Sequence, residues 1–270
     1  MLSPHIHSTI IRDEQSQPQH RVVFLHGLFG RGKNFTTIAS ALTPEAECLL
    51  VDLPNHGESG WSDHFDYIEI ADQVAQLMRS DFASESPIQL IGHSMGGKVA
   101  MVLALRHPDL VEKLVVLDIS PRSTSAAQSG FGHLLSSLRS LDLSSISRRS
   151  EASEQLRGAI PSDRVRGFLL QNLVSTESGF AWQPHLSMLD DEIEIVMGFP
   201  VLHEAKFEKP VLWIDGALSD YVCDEDEPLM RGYFTNVNRL TIENAGHWVH
   251  AERPNEVISA IRSFLFAGSN

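Results

Sequence analysis

The chain has 270 residues, of which 42% are hydrophobic and 21% are charged, and its formal net charge is -14. These fractions are ordinary for a globular protein, and the negative charge argues against nucleic acid and anionic membrane surfaces as partners. No apolar run approaches the length of a membrane span, and the N-terminal residues lack the basic and apolar regions of a secretion signal. We therefore expect a cytoplasmic protein without a membrane anchor.

The first part of the chain predicts three strands. Residues 5–11 alternate loosely between apolar and polar side chains, which is typical of an edge strand. Val22–Leu25 and Leu49–Val51 are short apolar runs that suit central strands. Each of these two runs leads into a polar or glycine-containing loop, His26–Gly30 and Asp52–Gly60. Open parallel sheets build their sites at the carboxyl ends of strands, so both loops are expected beside a site.

A helix is predicted after the second loop. Asp66 and Glu69 are spaced as a capping box, which marks a helix N-terminus. Apolar residues then recur at helical spacing, which predicts one buried face. These residues are Ile70, Ala71, Val74, Leu77 and Met78.

The next strand and helix enclose a serine between two glycines. Ile88–Ile91 suits a buried strand, and Val99–Leu105 contains good helix formers. Ser94 lies on the turn between them, and Gly92 and Gly96 remove side chains that would collide with the backbone of so sharp a turn. A glycine-rich connection without catalytic function has the same bare pattern, but the flanking strand and helix favour Ser94 as a nucleophile.

Polar residues also follow the later strands, which are predicted at 114–117, 211–214 and 239–242. Asp118 follows the first of them, Asp220 lies in the loop after the second, and His247 follows the third. A serine hydroxyl needs a base to accept its proton and a third group to orient that base. We predict His247 as the base. Either aspartate suits the orienting role, because the chain order Ser, Asp, His holds for both.

Strands that alternate with helices predict an α/β fold with a mostly parallel sheet covered on both faces. A closing helix from Pro254 presents apolar residues on one face, and these are Val257, Ile258, Ile261, Phe264 and Leu265. Residues 120–209 contain helical patterns and no convincing strand, so we predict that they form an inserted helical cap. The α/β core then consists of residues 1–119 and 210–270.

Metal binding and disulfide formation are not expected. Cys48 and Cys223 are too few for a disulfide framework or a thiolate cluster. His247 and His250 are spaced to share a helical face, but a third ligand at metal spacing is missing.

Five motifs make the chain resemble one family. They are His26–Gly30, Asp52–Ser59, Gly92–Gly97, Leu117–Pro121 and Gly246–Pro254. Together they resemble the α/β-hydrolase superfamily and, more narrowly, the small bacterial carboxylesterases related to mitochondrial abhydrolase-domain proteins. The resemblance spans nearly the whole chain, and its motifs are specific in the core and weak in the cap.

The resemblance implies an eight-stranded sheet, a Ser-His-Asp triad, no cofactor, and hydrolysis of esters with short acyl groups. In the narrower branch the acid comes from the position of Asp118, whereas the wider superfamily uses the position of Asp220. The sequence has both residues, and we favour Asp118, with Asp220 as the alternative. We expect a small-molecule ester as the substrate and a monomer or homodimer.

An oxyanion hole and a pocket complete the predicted site. Backbone N–H groups of Met95 and of Leu28 or Phe29 are placed to bind the oxyanion. The candidate pocket residues are His26, His93, Phe131, Leu134, Phe168, Trp182 and Trp248.

Other activities share this framework. Thioesterases, lactonases, carbon–carbon bond hydrolases and perhydrolases are alternatives that fold analogy does not separate from esterases. A non-catalytic ligand-binding protein is a further alternative, but the complete set of candidate groups argues against it.

Overall fold

The computed structural model describes residues 5–83, 86–125 and 130–267. Nine strands form a large sheet and a separate hairpin. The strands are β1 (Ser8–Ile11), β2 (His20–Leu25), β3 (Ala46–Val51), β4 (Ile88–His93), β5 (Val111–Leu117), β6 (Leu173–Thr176), β7 (Gly179–Trp182), β8 (Val211–Gly216) and β9 (Val237–Ile242).

The helices lie between these strands and after the last one. They are α1 (Thr36–Leu42), α2 (Tyr67–Leu77), α3 (Met95–Arg106), α4 (Phe131–Arg139), α5 (Arg149–Leu156), α6 (Asp163–Leu170), α7 (Leu186–Asp191), α8 (Ile193–Met197), α9 (Glu227–Tyr233), α10 (Val249–Glu252) and α11 (Pro254–Leu265). Short 3-10 turns occupy Gly32–Phe35, Leu143–Ser145 and Asp224–Asp226, and a π turn occupies Met78–Phe82. Within the described ranges, every helix is too short or too polar to cross a lipid bilayer.

The large sheet has the strand order β1-β3-β2-β4-β5-β8-β9. β1 pairs antiparallel with β3, and the other neighbours pair in parallel, which confirms the predicted mostly parallel sheet and its edge strand. The sheet has seven strands in the described part of the chain, one fewer than the eight that the resemblance implies.

The central strands are buried on both faces, which explains their uninterrupted apolar sequences. On β2, Val23 and Leu25 belong to the core on one face of the sheet, while Val22 and Phe24 belong to the core on the other. Helices α2 and α3 cover the first face and helices α1 and α11 cover the second. Helices on both faces hold the loops at the carboxyl ends of the strands on one rigid support.

Two predicted helices begin and pack as their sequences indicate. The Asp66 side chain accepts hydrogen bonds from the N–H groups of Ile68 (2.6 Å) and Glu69 (3.1 Å), so it caps α2 as expected. The Glu69 carboxylate contacts His64 instead of completing the capping box. The closing helix α11 buries Val257, Ile261 and Leu265 against the core.

The segment between β5 and β8 differs in one respect from the prediction of helices alone. It contains helices α4–α8, but β6 and β7 form an antiparallel hairpin in which Leu173 pairs with Trp182 and Thr176 pairs with Gly179. Helix α6 ends at Leu170, and the four-residue strands after it are too short to show a distinct periodicity.

Candidate active site

Ser94 lies on a strained turn between β4 and α3, as the glycine pattern predicts. Its backbone has φ 53°, a left-handed conformation that is unfavourable for a residue with a side chain. A Cβ atom on Gly92 would lie 2.3 Å from the carbonyl oxygen of Gly96, and one on Gly96 would lie 2.3 Å from the carbonyl oxygen of His26. Both positions therefore require glycine, and the turn holds the Ser94 side chain at the carboxyl edge of the sheet.

The imidazole of His247 lies between Ser94 and Asp118. Its Nε2 atom is 2.9 Å from Ser94 Oγ, and its Nδ1 atom is 2.8 Å from Asp118 Oδ2. The three side chains come from the turn after β4, the end of β5 and the loop after β9, which adjoin because the intervening strands are neighbours in the sheet. This arrangement allows a proton to pass from the hydroxyl to the imidazole while the carboxylate fixes the tautomer.

The Asp118 carboxylate is fully buried and has several donors around it. The Gly216 N–H donates to Oδ1 at 2.9 Å, and the Ser219 hydroxyl donates to Oδ2, which also contacts His247. A buried carboxylate is tolerated when such donors replace water. These donors also fix the orientation of the carboxylate toward the imidazole.

Asp220 lies elsewhere. Its side chain is exposed, and its carbonyl oxygen accepts a 2.6 Å hydrogen bond from Nη2 of Arg122. Of the two aspartates that the sequence presents, the structure therefore brings Asp118 to the imidazole and leaves Asp220 at the surface.

The loop between β2 and α1 passes directly beside Ser94. Gly27 to Gly30 form a tight turn closed by a 2.8 Å hydrogen bond from the Gly30 N–H to the Gly27 carbonyl, with Phe29 at φ 61°. A Cβ atom on Gly27 would lie 3.0 Å from Ser94 Cβ, so glycine permits this close approach. Met95 begins α3 on the other side of the serine. The two segments that carry the predicted oxyanion donors thus adjoin Ser94.

Two predicted pocket histidines support the backbone. His26 donates from Nδ1 to the Gly27 carbonyl (2.8 Å) and accepts from the Leu53 N–H at Nε2 (2.9 Å). His93 donates from Nε2 to the His247 carbonyl at 2.9 Å. Burial lowers the pKa of His26, and it lowers the pKa of His93 well below the ordinary value of 6.5, so both rings are neutral at pH 7.

One small cavity adjoins the serine, and a second adjoins the first. The first has a volume of about 20 Å³ and contains Ser94 and His247 in its wall, and the second has about 150 Å³ and includes Arg164 and Val165. Four residues line both, namely Asn34, Phe168, Trp248 and His250. The segment between β5 and β8 contributes to the walls of both cavities.

The predicted pocket residues separate into two groups. His26, His93, Phe131, Phe168 and Trp248 line the cavity at Ser94, and so does Leu28, which was predicted as an oxyanion donor. Leu134 and Trp182 do not contribute to either cavity, because they pack against the hydrophobic core from α4 and from the hairpin strand β7. The presence of an aromatic residue in the insertion therefore predicted a cavity position correctly for Phe131 and Phe168 but not for Trp182.

Several residues near the site were missed from the sequence. Tyr221 stacks on the imidazole of His247 with ring centroids 3.9 Å apart and an interplanar angle of 22°. Ser219 donates to Asp118, and Phe35 lines the cavity. Ser219 and Tyr221 could have been predicted near the site, because they lie in the same loop after β8 as the candidate acid Asp220.

The part of the chain that the structure describes contains no group of three or more histidine, cysteine or acidic side chains arranged to hold a metal ion.

Known proteins are similar to this chain over nearly its whole length. The sn-1-specific diacylglycerol lipase ABHD11 of Mus musculus is 36% identical over 250 residues, which cover 90% of this chain and 80% of the relative. Esterase YbfF of Escherichia coli is 30% identical over 258 residues, which cover 94% and 98%. The solved structure of a marine microorganism esterase has a TM-score of 0.90 at 31% identity, with 98% and 100% covered.

The family described as alpha/beta hydrolase fold matches residues 20–254. This range begins at β2, includes the whole sheet apart from its antiparallel edge strand, and contains Ser94, Asp118 and His247. The chain belongs to the family of proteins with the alpha/beta hydrolase fold.

Proposed function

We propose that this protein is a serine carboxylesterase that hydrolyses short-acyl esters. Ser94 acts as the nucleophile, His247 as the general base and Asp118 as the orienting acid. The observation that carries the proposal is the position of one imidazole within 2.9 Å of the serine hydroxyl and 2.8 Å of a buried carboxylate. The relatives named as esterases support the same chemistry.

The reaction proceeds through an acyl-enzyme. Ser94 Oγ attacks the ester carbonyl carbon while His247 Nε2 accepts the hydroxyl proton, and the carbonyl oxygen becomes an oxyanion. Backbone N–H groups of Met95 and of Leu28 or Phe29 bind this oxyanion. The tetrahedral intermediate breaks its bond to the alcohol, which leaves with the proton from His247. Water then attacks the acyl-enzyme by the same steps and releases the carboxylic acid and Ser94.

The cavities favour short acyl groups. Sites for drug-sized ligands usually enclose roughly 300–1,000 Å³. The space beside Ser94 measures about 20 Å³ and the adjoining space about 150 Å³, and the aromatic rings of Phe168 and Trp248 form part of the wall of both. We propose residues 120–209 as a cap that closes over the core of residues 1–119 and 210–270, since Phe131 and Phe168 reach the cavity from this segment.

Hydrolysis of diacylglycerol is a second candidate. It is favoured by the mouse relative, which is named as an sn-1-specific diacylglycerol lipase and is 36% identical. A long acyl chain would require the two cavities to join and open, because their present volumes lie below the range of roughly 300–1,000 Å³ that is usual for ligand sites. The same three side chains would perform the hydrolysis, so the two candidates differ only in substrate.

A series of esters tests the proposal. We expect kcat/KM to be highest for p-nitrophenyl acetate or butyrate, and to fall by about tenfold or more for the decanoate. The Ser94→Ala variant should lose activity on every ester, and a fluorophosphonate should label wild-type protein on the peptide that contains Ser94. A preference for decanoate and for dioleoylglycerol would support the lipase instead. Labelling at another residue would remove Ser94 as the nucleophile.

A further inference from the structure

The imidazole of His247 has its two nitrogens occupied in the plane of the ring, by Ser94 on one side and Asp118 on the other. These contacts leave the two faces of the ring available for packing. Tyr221 covers one face, with its ring nearly parallel at 22° and its centroid 3.9 Å away. His93 lies near the ring at a greater distance, with a 4.9 Å centroid separation and a 40° tilt.

We infer that Tyr221 is a positioning residue for the reaction, whose aromatic face keeps the His247 imidazole in line and stabilises it once it has accepted the serine proton. This inference rests on the proposed function. An aromatic face attracts a cation through its quadrupole, and a parallel ring blocks rotation of the imidazole out of the plane that contains Ser94 and Asp118. The attraction acts on the protonated imidazole, whereas the block to rotation acts on both protonation states.

The loop that carries Tyr221 is hydrogen-bonded to Asp118, which also contacts His247. Ser219 donates its hydroxyl hydrogen to Asp118 Oδ2, and the Tyr221 N–H donates to Ser219 Oγ at 3.4 Å. The Gly216 N–H donates to the other oxygen of Asp118, and Arg122 holds the carbonyl of Asp220. In residues 216–221, Gly216 and Ser219 therefore bind the Asp118 carboxylate, and Tyr221 covers one face of the imidazole.

The groups near the imidazole show which of them can stabilise its positive charge. The titratable groups around the imidazole are Asp118 after β5, His93 at the end of β4, His250 on α10 and Tyr221 on the loop after β8. Nearby, the Glu252 carboxylate accepts from the Gly246 N–H, and the charge of the exposed Asp220 acts on Tyr221.

Three of these groups are neutral at pH 7. Burial lowers the pKa of His93 well below 6.5 and that of His250 to about 3, so neither ring carries a competing positive charge. Burial, followed by the charges of Asp220 and Asp118, raises the pKa of Tyr221 to about 12, so its phenol remains neutral. The Asp118 carboxylate thus supplies negative charge at the ring edge, and Tyr221 supplies the aromatic face.

Replacement of the ring tests the inference. Tyr221→Leu removes the aromatic face, and Tyr221→Phe keeps it as the conservative variant. We expect the leucine variant to lose about tenfold in kcat with little change in KM, and the phenylalanine variant to recover most of that loss. The acid limb of kcat/KM should move to lower pH by about 0.5 unit in the leucine variant, because the imidazolium is less stabilised. A purely structural role would not shift this limb.

A measurement without substrate separates this inference from the proposed function. The pH titration of the His247 ring, followed by NMR, should show the same downward shift in Tyr221→Leu and not in Tyr221→Phe. If wild-type protein neither hydrolyses esters nor reacts with a fluorophosphonate, the proposed function fails and the NMR titration still decides the stacking effect. Tyr221→Met serves if the leucine variant does not fold. Leucine or methionine variants with wild-type kcat, or with an unshifted titration, would overturn the inference.

Discussion

Asp118 Oδ2 lies 2.8 Å from Nδ1 of His247, although the two residues are 129 positions apart in the sequence. Both follow strands of the parallel sheet, and the intervening insertion does not separate them because β5 and β8 are paired neighbours. Asp118 and His247 are close because of the order of the strands in the sheet. A substitution or insertion that keeps this strand order can therefore keep their hydrogen bond.

Removal of one carboxylate at a time distinguishes the two aspartates. We expect Asp118→Asn to lower kcat by about 10⁴-fold, because the amide cannot hold the imidazole in the required tautomer or stabilise its charge. Asp220→Asn is the matched control, and it should change kcat by less than about threefold because an exposed charge is screened by solvent. Steady-state kinetics with a short-acyl ester give the ranking, and the opposite ranking would move the acid to Asp220.

The choice between these aspartates shows what the sequence can and cannot predict. Buried strands are read from apolar runs, and Gly92 and Gly96 identify the serine turn, so the sheet and two of the three central side chains follow from the sequence. The loops after β5 and β8 lie at the same edge of the sheet. Their aspartates, Asp118 and Asp220, differ in whether the side chain points toward His247. That direction depends on the left-handed backbone at Asp118 (φ 49°) and on donors from residues 216 and 219, which are distant in sequence.

The insertion was less predictable for a different reason. Apolar residues there alternate between packing on the core and lining the cavity, and both roles require the same residue types. Phe168 and Trp182 are equivalent as sequence signals, but Phe168 lies on α6 over Ser94 whereas Trp182 lies on a hairpin. Tertiary packing alone separates them.

Phe168 sets the size of both cavities, so its truncation should change the preferred substrate. We expect Phe168→Ala to raise the ratio of kcat/KM for decanoate to that for butyrate by about tenfold, because the two cavities join when the ring is removed. Phe180→Ala on β7 is the control, since that ring packs on the core and lines neither cavity. An unchanged ratio in the Phe168 variant would show that acyl chains bind elsewhere.

The serine turn should not tolerate a methyl group at Gly96. Its Cβ would lie 2.3 Å from the His26 carbonyl oxygen and 2.4 Å from that of Leu25, and both are backbone atoms that cannot move without displacing β2. We expect Gly96→Ala to destabilise the fold by about 3 kcal/mol or more. Gly132→Ala on α4 should stabilise it by about 0.5–1 kcal/mol, because nothing lies within 4 Å of the new atom. Denaturant unfolding of both variants gives the comparison, and equal stabilities would contradict the steric argument.

Lys98 gives the stability of the protein a specific dependence on pH. Its buried ammonium donates to the carbonyls of Met197 (2.8 Å) and Gly198 (2.7 Å), and burial lowers its pKa from the ordinary 10.5 to about 7. Between these two pH values the unfolded chain binds a proton that the folded chain does not, so the Lys98 contribution to folding becomes more favourable as pH rises.

We therefore expect the unfolding free energy of wild type to rise relative to that of Lys98→Met as the pH increases. The rise should be about 1 kcal/mol per pH unit between about pH 7.5 and 9.5. The exposed Lys33, changed to Met, serves as the control. Denaturant unfolding at several pH values measures both differences. Parallel pH profiles for wild type and Lys98→Met would contradict the depressed pKa.

The pairing of β5 with β8 has a further consequence for how this protein diversifies. The chain leaves β5 at Leu117 and returns at Val211, the residue of the adjacent strand β8 that pairs with Leu114, so the 93 intervening residues connect two directly paired strands. Because β5 and β8 pair directly, changes confined to residues 120–209 are compatible with the same register of these strands, and with it the same distances among Ser94, Asp118 and His247. Substrate preference can therefore drift by exchange of the inserted segment while the reacting groups remain fixed.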